Sequence, residues 1–349
     1  MLDKFYKNKK ILITGVTGFK GSWLAIWLKK MGAEVKGVGL KPNSKNDLFN
    51  LCKLNKLIDT EIIDIRDYGK LSKVIKKYKP QLIFHLAGQS IVSKSYTNTI
   101  FTYETNVIGT CNLLEACKNI KQLKSIVCIT SDKCYENVEK NKGYKETDRL
   151  GGTDPYSASK GAMELVVNSY YKSFFEKSNV NIASARAGNV IGGGDWNENR
   201  LVPDCIKSLS TKNKIFLRDP SSNRPWQYIL DLINGYLTLG MKNYTNKKFI
   251  GSWNFGNYEK KIYTTLDLAN QIIKIWGNGK IHIKKKKNFF EHKKLQLNVS
   301  KAHRQLNWRS KLNIKESISW TTKWYIEVIK NKKDPLQLCV DQITFFDKK

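Results

Sequence analysis

The sequence predicts an α/β fold: a Rossmann-type, doubly wound parallel sheet with a smaller C-terminal lobe for substrate. Three observations carry that expectation. Short apolar runs alternate with helical patterns up to Ala187, the rhythm of a βαβ series. A Gly-rich turn follows the first run directly and opens the first helix, where such folds hold a pyrophosphate. After Ala187 the alternation gives way to short segments broken by Pro203, Pro220 and Pro225.

The elements follow in order. Ile11–Thr14 is the first strand, and an amphipathic helix covers Ser22–Met31. Val35–Leu40, Ile62–Asp64, Leu82–His85, Ile126–Thr130 and Val180–Ala187 read as further strands. Helical patterns over Tyr68–Tyr78, Thr99–Lys118 and Pro155–Glu176 separate them. Right-handed crossovers place the strand C-terminal ends, and the loops after them, along one edge. Asp231–Met241 again reads as a helix. The expected division is a dinucleotide-binding domain over residues 1–187 plus about 226–250. A substrate lobe takes 188–225 and 251–330, and 331–349 forms a tail that is either loose or wrapped on the domain.

Composition narrows the class. The length of 349 residues allows a large core. No stretch approaches the roughly 18–20 apolar residues that span a bilayer, and the charged N-terminus lacks a signal-peptide pattern. The expectation is a cytoplasmic protein without membrane contact. Seven cysteines form no CxxC pair, as expected for reduced thiols, and four histidines are too few to suggest a metal site with them. The formal charge of +31 raises a nucleic-acid partner. That reading is set aside because the lysines are scattered and arginine occurs at only eight positions. The one contiguous run, Lys284–Lys287, reads as a solvated loop or strand end.

Chemistry concentrates at the predicted strand ends. Gly15, Thr17, Gly18, Phe19, Lys20 and Gly21 form a GxxGxxG turn that suits a dinucleotide pyrophosphate. The acid expected after the second strand, which would bind the adenosine ribose, is replaced by Leu40-Lys41, so the residues alone leave NAD and NADP open. Asp64 and Ile65 follow the third strand and either flank the adenine or cap the strand. Leu86, Ala87, Gly88 and Gln89 end the fourth with small residues that admit a cofactor. His85 alone reads as structural. Ser90, Ser95 and Tyr96 lie on a polar loop facing cofactor or sugar.

Ser131-Asp132-Lys133 ends the fifth strand, and Tyr156-Ser157-Ala158-Ser159-Lys160 opens the long helix. Tyrosine and lysine at i and i+4 share a helix face. A lysine ammonium there is expected to favour tyrosinate, which takes a proton from a hydroxyl while hydride leaves the same carbon. Asp132 and Lys133 add a second acid and base. Asn189, Arg218 and Arg224 are expected to meet a diphosphate, since a guanidinium suits phosphate oxygens.

These motifs together resemble the extended short-chain dehydrogenase/reductases, the nucleotide-sugar epimerase and dehydratase family. GFKGSWL, TSDKCYEN, GGTDPYSASKGAMELV, RAGNVIGGGDW and NRPWQ are similar to the branch that dehydrates CDP-glucose; related dehydratases usually have Thr-Asp-Glu where this chain has Ser131-Asp132-Lys133. The resemblance implies NAD as cofactor, with Asn106, Thr130, Ala187, Tyr156 and Lys160 among its contacts, and a nucleotide sugar as substrate. It implies C4 oxidation with Tyr156 as base, aided by Ser131 and Lys160, then removal of the C5 proton by Lys133. Asp132 protonates the leaving C6 hydroxyl, and hydride returns to C6. Lys133 must then be neutral and Asp132 protonated.

Two relatives remain as alternatives. Inverting UDP-N-acetylglucosamine dehydratases share Asp-Lys but replace the tyrosine with Met, unlike Tyr156. An epimerase needs Tyr156 and Lys160 but has no use for Asp-Lys. The resemblance also implies a homodimer or homotetramer, paired through Thr99–Lys118 and Pro155–Glu176, with a deoxysugar or surface-polysaccharide product. Val107, Leu114, Met163 and Val167 either supply the apolar stripe of that contact or face the sheet.

Overall fold

A computed structural model describes residues 1–140, 142–257, 263–283 and 295–349; the 284–287 lysine run lies outside them. One seven-stranded sheet organises the chain, and every pairing in it is parallel. Its first six strands in chain order are β1 Lys10–Thr14, β2 Glu34–Gly39, β3 Asp59–Ile62, β4 Leu82–His85, β5 Ser125–Ile129 and β6 Asn181–Ala187. The spatial order is seventh strand–β6–β5–β4–β1–β2–β3. β1, β4, β5 and β6 are buried almost throughout, as a parallel sheet covered on both faces requires.

Two elements differ from the sequence reading. The seventh strand is Gly251–Phe255, paired with β6 from Gly251↔Ala183 to Phe255↔Ala187, although those residues were expected in the smaller lobe. A strand that closes an existing sheet edge shows no βαβ rhythm of its own, so periodicity misplaces it. The third strand is Asp59–Ile62 rather than Ile62–Asp64. It lies on the opposite edge and is half exposed, so its signal is polar: Lys36 of β2 is buried and pairs with Asp59 at 2.7 Å and Glu61 at 2.8 Å.

Both expected long helices are present with a wide turn in each. Thr99–Tyr103 continues through Glu104–Ile108 into Gly109–Cys117, and Pro155–Tyr170 continues through Tyr171–Phe175. Asp154 caps the latter, accepting from Ser157 N at 3.0 Å, with Pro155 in the first turn, as helix starts favour. Leu114, Met163 and Val167 are buried in the core on this side of the sheet, so they face inward. The opposite face carries Trp23, Trp27 and the Ile229–Thr245 helix.

Outside this sheet lie two short parallel pairs, Val190–Ile191 with Gln227–Tyr228 and Ile215–Leu217 with Ile281–Ile283. The C-terminal segment is not loose. Pro335–Lys348 is a helix that buries Cys339, Ile343 and Phe346, and Phe346 meets Trp27 edge-on at 5.6 Å between ring centroids. Apolar burial of this size is a main source of stability. Phe346→Ala should therefore cost about 3–5 kcal/mol, read as a lower urea midpoint; an unchanged midpoint would show that the helix does not contribute to the fold.

Candidate active site

β1, β4, β5 and β6 all deliver their C-terminal ends to one edge, and the residues singled out there meet around it. Gly15 has φ +73°, and a Cβ on it would lie 2.6 Å from Ala87 N, so only glycine fits this approach of the β1 and β4 turns. Gly21 abuts the Gly15 carbonyl equally closely. Gly18 is the N-cap of the Phe19–Lys30 helix, whose unpaired amides face the turn. Phe19 is core, and Thr17 lies against Gly39 at the end of β2.

The β4 turn is held from the other side. Asn106 Oδ1 accepts from Gln89 N at 2.9 Å, and its amide donates to Ser159 Oγ at 2.9 Å. Gln89 is itself buried, donating to Thr102. Gly88 sits between Asn106 and Lys160: a Cβ there would lie 2.9 Å from Asn106 Oδ1 and 3.2 Å from Lys160 Nζ. His85 is buried and bridges Thr14 at 2.6 Å and Thr110 at 3.0 Å; burial, with the Lys160 charge, lowers its pKa to about 3. It is a neutral part of the scaffold.

Ser131 is the extended residue before a short turn over Asp132–Cys134. Its hydroxyl donates to Asp132 Oδ1 at 3.0 Å, accepts from Lys133 N and bonds Tyr156. Asp132 is buried, and desolvation raises its pKa against the opposing charges of Lys133, Lys20 and Arg224. Gly188 leaves room for it: a Cβ there would lie 2.9 Å from Asp132 Oδ2. Burial also raises Tyr156 to about 12, opposed by the Ser131 hydrogen bond and the Arg200 charge. This is opposite in sign to the lowering expected from Lys160, because a phenolate in a desolvated site loses more hydration than its neighbours restore. Lys160 is lowered to about 8, again by burial, with Glu164 the foremost opposing charge.

A small pocket adjoins this cluster, lined in part by Asp132, Lys133, Asp154, Ser157, Asn189 and Arg224. Asn189 is fixed by its carbonyl, which accepts from Gln227 N at 3.0 Å. Other expected ligand groups are engaged elsewhere. Arg218 donates to Asn199 and is not part of the lining. Ser95 is fully buried, its hydroxyl bonded to Val92 O at 2.7 Å; Tyr96 follows it, half-buried. Asp64 is bound by Arg66, and Ile65 packs beneath Gly109. Leu86 is half-buried and Ala187 buried, while Thr130 donates to Glu164 Oε1 at 2.5 Å.

Sequence reasoning missed three groups here. Arg200 donates to buried Asp195 at 2.8 Å and to Ser90 Oγ at 3.2 Å, so it ties the Gly-rich loop after β6 to the loop after β4. Lys20 was read only as part of the glycine turn. It faces Arg200, Asp132, Lys160 and Asp195, and burial followed by Arg200 lowers it to about 8. Glu164, one further turn along from Lys160, was legible from helical spacing. Among the described residues no group of three or more His, Cys, Asp or Glu is placed to hold a metal ion, and no helix is long and apolar enough to cross a membrane.

A parallel Rossmann sheet with a glycine turn after β1 and a Tyr-x-x-x-Lys helix beside a strand-end serine defines a short-chain dehydrogenase/reductase architecture. Residues 12–321 match the family model of GDP-mannose 4,6 dehydratase, and the chain belongs to that family. It is 42% identical over 333 residues to the CDP-glucose 4,6-dehydratase of Salmonella typhimurium, covering 93% of each chain. It is 32% identical over 283 residues to the dTDP-D-glucose 4,6-dehydratase of Dictyostelium discoideum, covering 76% of this chain and 62% of that one. In fold it is similar to epimerase Mth375 of Methanothermobacter thermautotrophicus, with TM-score 0.82, 22% identity and coverage of 95% and 96%. It is also similar to the Bacillus anthracis dTDP-glucose 4,6-dehydratase solved with NAD, with TM-score 0.77, 23% identity and coverage of 93% and 99%.

Gly88→Ala tests the packing of the β4 turn on Lys160. Displacing a reacting group by an ångström costs about a hundredfold in rate, so kcat should fall on that order while the unfolding midpoint moves little. Full activity would show that Gly88 does not set the lysine position.

Proposed function

We propose that this protein is a CDP-glucose 4,6-dehydratase that forms CDP-4-keto-6-deoxyglucose. The observation that carries the reading is Asp132, a buried and protonation-prone carboxyl beside Lys133, on the turn that hydrogen-bonds Tyr156. An epimerase has no use for such an acid. The 42% identity to a CDP-glucose 4,6-dehydratase supports the cytidine.

The cradle fits NAD. Gly15, Gly18 and Gly21 leave backbone open at a helix N-terminus, and Gly88 leaves space against Lys160. Thr17, Phe19, Lys20, Ala87, Gln89, Asn106 and Ala187 would complete its surroundings. NAD bound there would supply the hydride acceptor for C4 and the hydride donor for C6.

Tyr156 would accept the proton of the C4 hydroxyl, with Ser131 bonded to the same oxygen. Ionising this tyrosine against burial takes nearby positive charge, which Arg200 supplies and to which Lys160, one helical turn along, would add. Lys133 would take the C5 proton once C4 is a ketone and, after exchange with solvent, return a proton to C5 when hydride reaches C6. Asp132 would give its proton to the departing C6 hydroxyl, the neutral-carboxyl role that burial favours. Asn189 and Arg224, which line the cavity, would hold the diphosphate. We place the protein in the cytoplasm, where its seven free thiols stay reduced, and in a biosynthetic route to deoxysugars of surface polysaccharide. We also read it as a homodimer: Ile100, Tyr103, Ile108, Leu165 and Phe174 stand exposed along the 99–117 and 155–175 helices, a surface of the kind that marks an interface.

Four predictions follow from these assignments. Among CDP-, UDP-, GDP- and dTDP-glucose, CDP-glucose should be converted fastest to a product lighter by one water; a product of unchanged mass would indicate an epimerase. Tyr156→Phe should lower kcat by at least about 10²-fold, the lower range for general acid–base catalysis. Because Asp132 works protonated and its pKa is raised, the elimination step should carry an alkaline limb from loss of that proton, and Asp132→Asn should remove the limb together with most of the rate; a limb unchanged in Asp132→Asn would remove Asp132 from the acid role. Leu165→Glu should reduce the solution mass from twice the 40.2 kDa chain towards one chain by light scattering.

A further inference from the structure

We propose that the buried Glu164–Arg186 ion pair is a positioning pair that holds the Ser131-Asp132-Lys133 turn in register with Tyr156 and Lys160 and sustains the positive charge of Lys160. The proposal rests on the dehydratase reading above.

The pair lies beneath the cluster rather than in it. Its side chains are 2% and 3% exposed, and Arg186 Nη2 donates to Glu164 Oε2 at 2.7 Å. Ser184 and Ser252 also donate to that oxygen, at 2.7 and 3.0 Å. Such a pair is a poor stabiliser, since desolvating two charges consumes most of their attraction and apolar residues of similar volume serve as well or better. Its contacts point to another use. Glu164 Oε1 accepts from Thr130, the residue just before Ser131. Arg186 Nη1 donates at 2.8 Å to the hydroxyl of Tyr135, the residue just after the turn. Tyr135 passes that bond on to Asn254 Oδ1 at 2.8 Å, on the seventh strand. One ion pair therefore grips the turn at both ends and ties it to the sheet edge.

The second arm reaches Lys160. Tyr156, Lys160 and Glu164 stand at successive i, i+4 positions on one helix face. The groups facing Lys160 are Glu164 on its own helix, Cys128 on β5, Cys134 on the turn, His85 on β4 and Lys20 on the first-turn helix. Among them Glu164 is held ionised: burial pushes its carboxyl up, but Arg186 and the hydroxyls of Thr130 and Ser184 outweigh that and keep it low. His85 is neutral, burial raises both thiols, and Lys20 repels. The Glu164 carboxylate is thus the anion that offsets the desolvation of Lys160.

Two variants separate this role from a purely structural one. Single-turnover C4 oxidation involves neither Asp132 nor Lys133, so its alkaline limb reports loss of the Lys160 charge. Glu164→Gln removes an opposing charge, which is worth about one pKa unit or more, so that limb should move to lower pH by about that much; Glu164→Asp should restore it. Tyr135→Phe leaves the ion pair but releases the turn, so exchange of the C5 proton should fall at least tenfold more than C4 oxidation. A Gln variant with the limb in its wild-type place, or a Tyr135→Phe variant that slows both steps equally, overturns the proposal. If the Gln variant does not fold, the Tyr135→Phe comparison decides. Wild-type turnover of CDP-glucose is the separate check on the dehydratase reading.

Discussion

The cleft depends on one constraint: a helix that presents Tyr156, Lys160 and Glu164 on a single stripe must lie in fixed register against the ends of β4, β5 and β6. Three contacts impose it. Asn106 bridges the β4 turn and Ser159, Thr130 at the end of β5 bonds Glu164, and Arg186 near the end of β6 pairs with Glu164. Each joins the helix to a different strand end, so together they leave little freedom to slide or turn. The glycines at 15, 21, 88 and 188 answer the same constraint, since each stands where a side chain would separate groups that have to meet.

Burial sets the electrostatics of this site, and its effect differs from group to group. Desolvation raises Asp132, which suits a proton donor, and lowers Lys160 and Lys20. It also raises Tyr156, which opposes its use as a base. The Ser131 hydrogen bond and the Arg200 charge oppose that rise without cancelling it. Arg200, fixed by Asp195 and Ser90, favours the ionised phenol, and Lys160 stands one helical turn from the tyrosine. A site with fewer cations would push the tyrosine higher still, and one with more solvent would lose the protonated carboxyl.

Much of this was legible in the sequence because buried parallel strands and Gly-rich turns leave strong local signals. β1, β4, β5 and β6 read directly as strands, and GxxGxxG, Ser131-Asp132-Lys133 and Tyr156–Lys160 marked the edge where they converge. What was not legible depends on distant partners. Gly251–Phe255 joins the sheet only because β6 offers an edge. Asp59–Ile62 hides its strand character behind charges paired to Lys36. Nor does the sequence show that Arg218 bonds Asn199 and Ser95 bonds Val92. Arg186 and Arg200 gave no signal at all, since an arginine becomes informative only once its carboxylate is known. The sign of the Tyr156 shift was missed for the same reason: spacing reports the neighbour, but not the depth of burial.

The central claim is that Asp132 and Lys133 turn an oxidation at C4 into a loss of water across C5 and C6. Conversion of CDP-glucose in deuterated water, with the product read by NMR, tests it most directly. The account predicts a 4-keto-6-deoxy sugar carrying solvent deuterium at C5. In Lys133→Ala it predicts C4 oxidation without that label. A product that keeps its C6 hydroxyl, or a Lys133→Ala protein that still exchanges C5 at the wild-type rate, would contradict it.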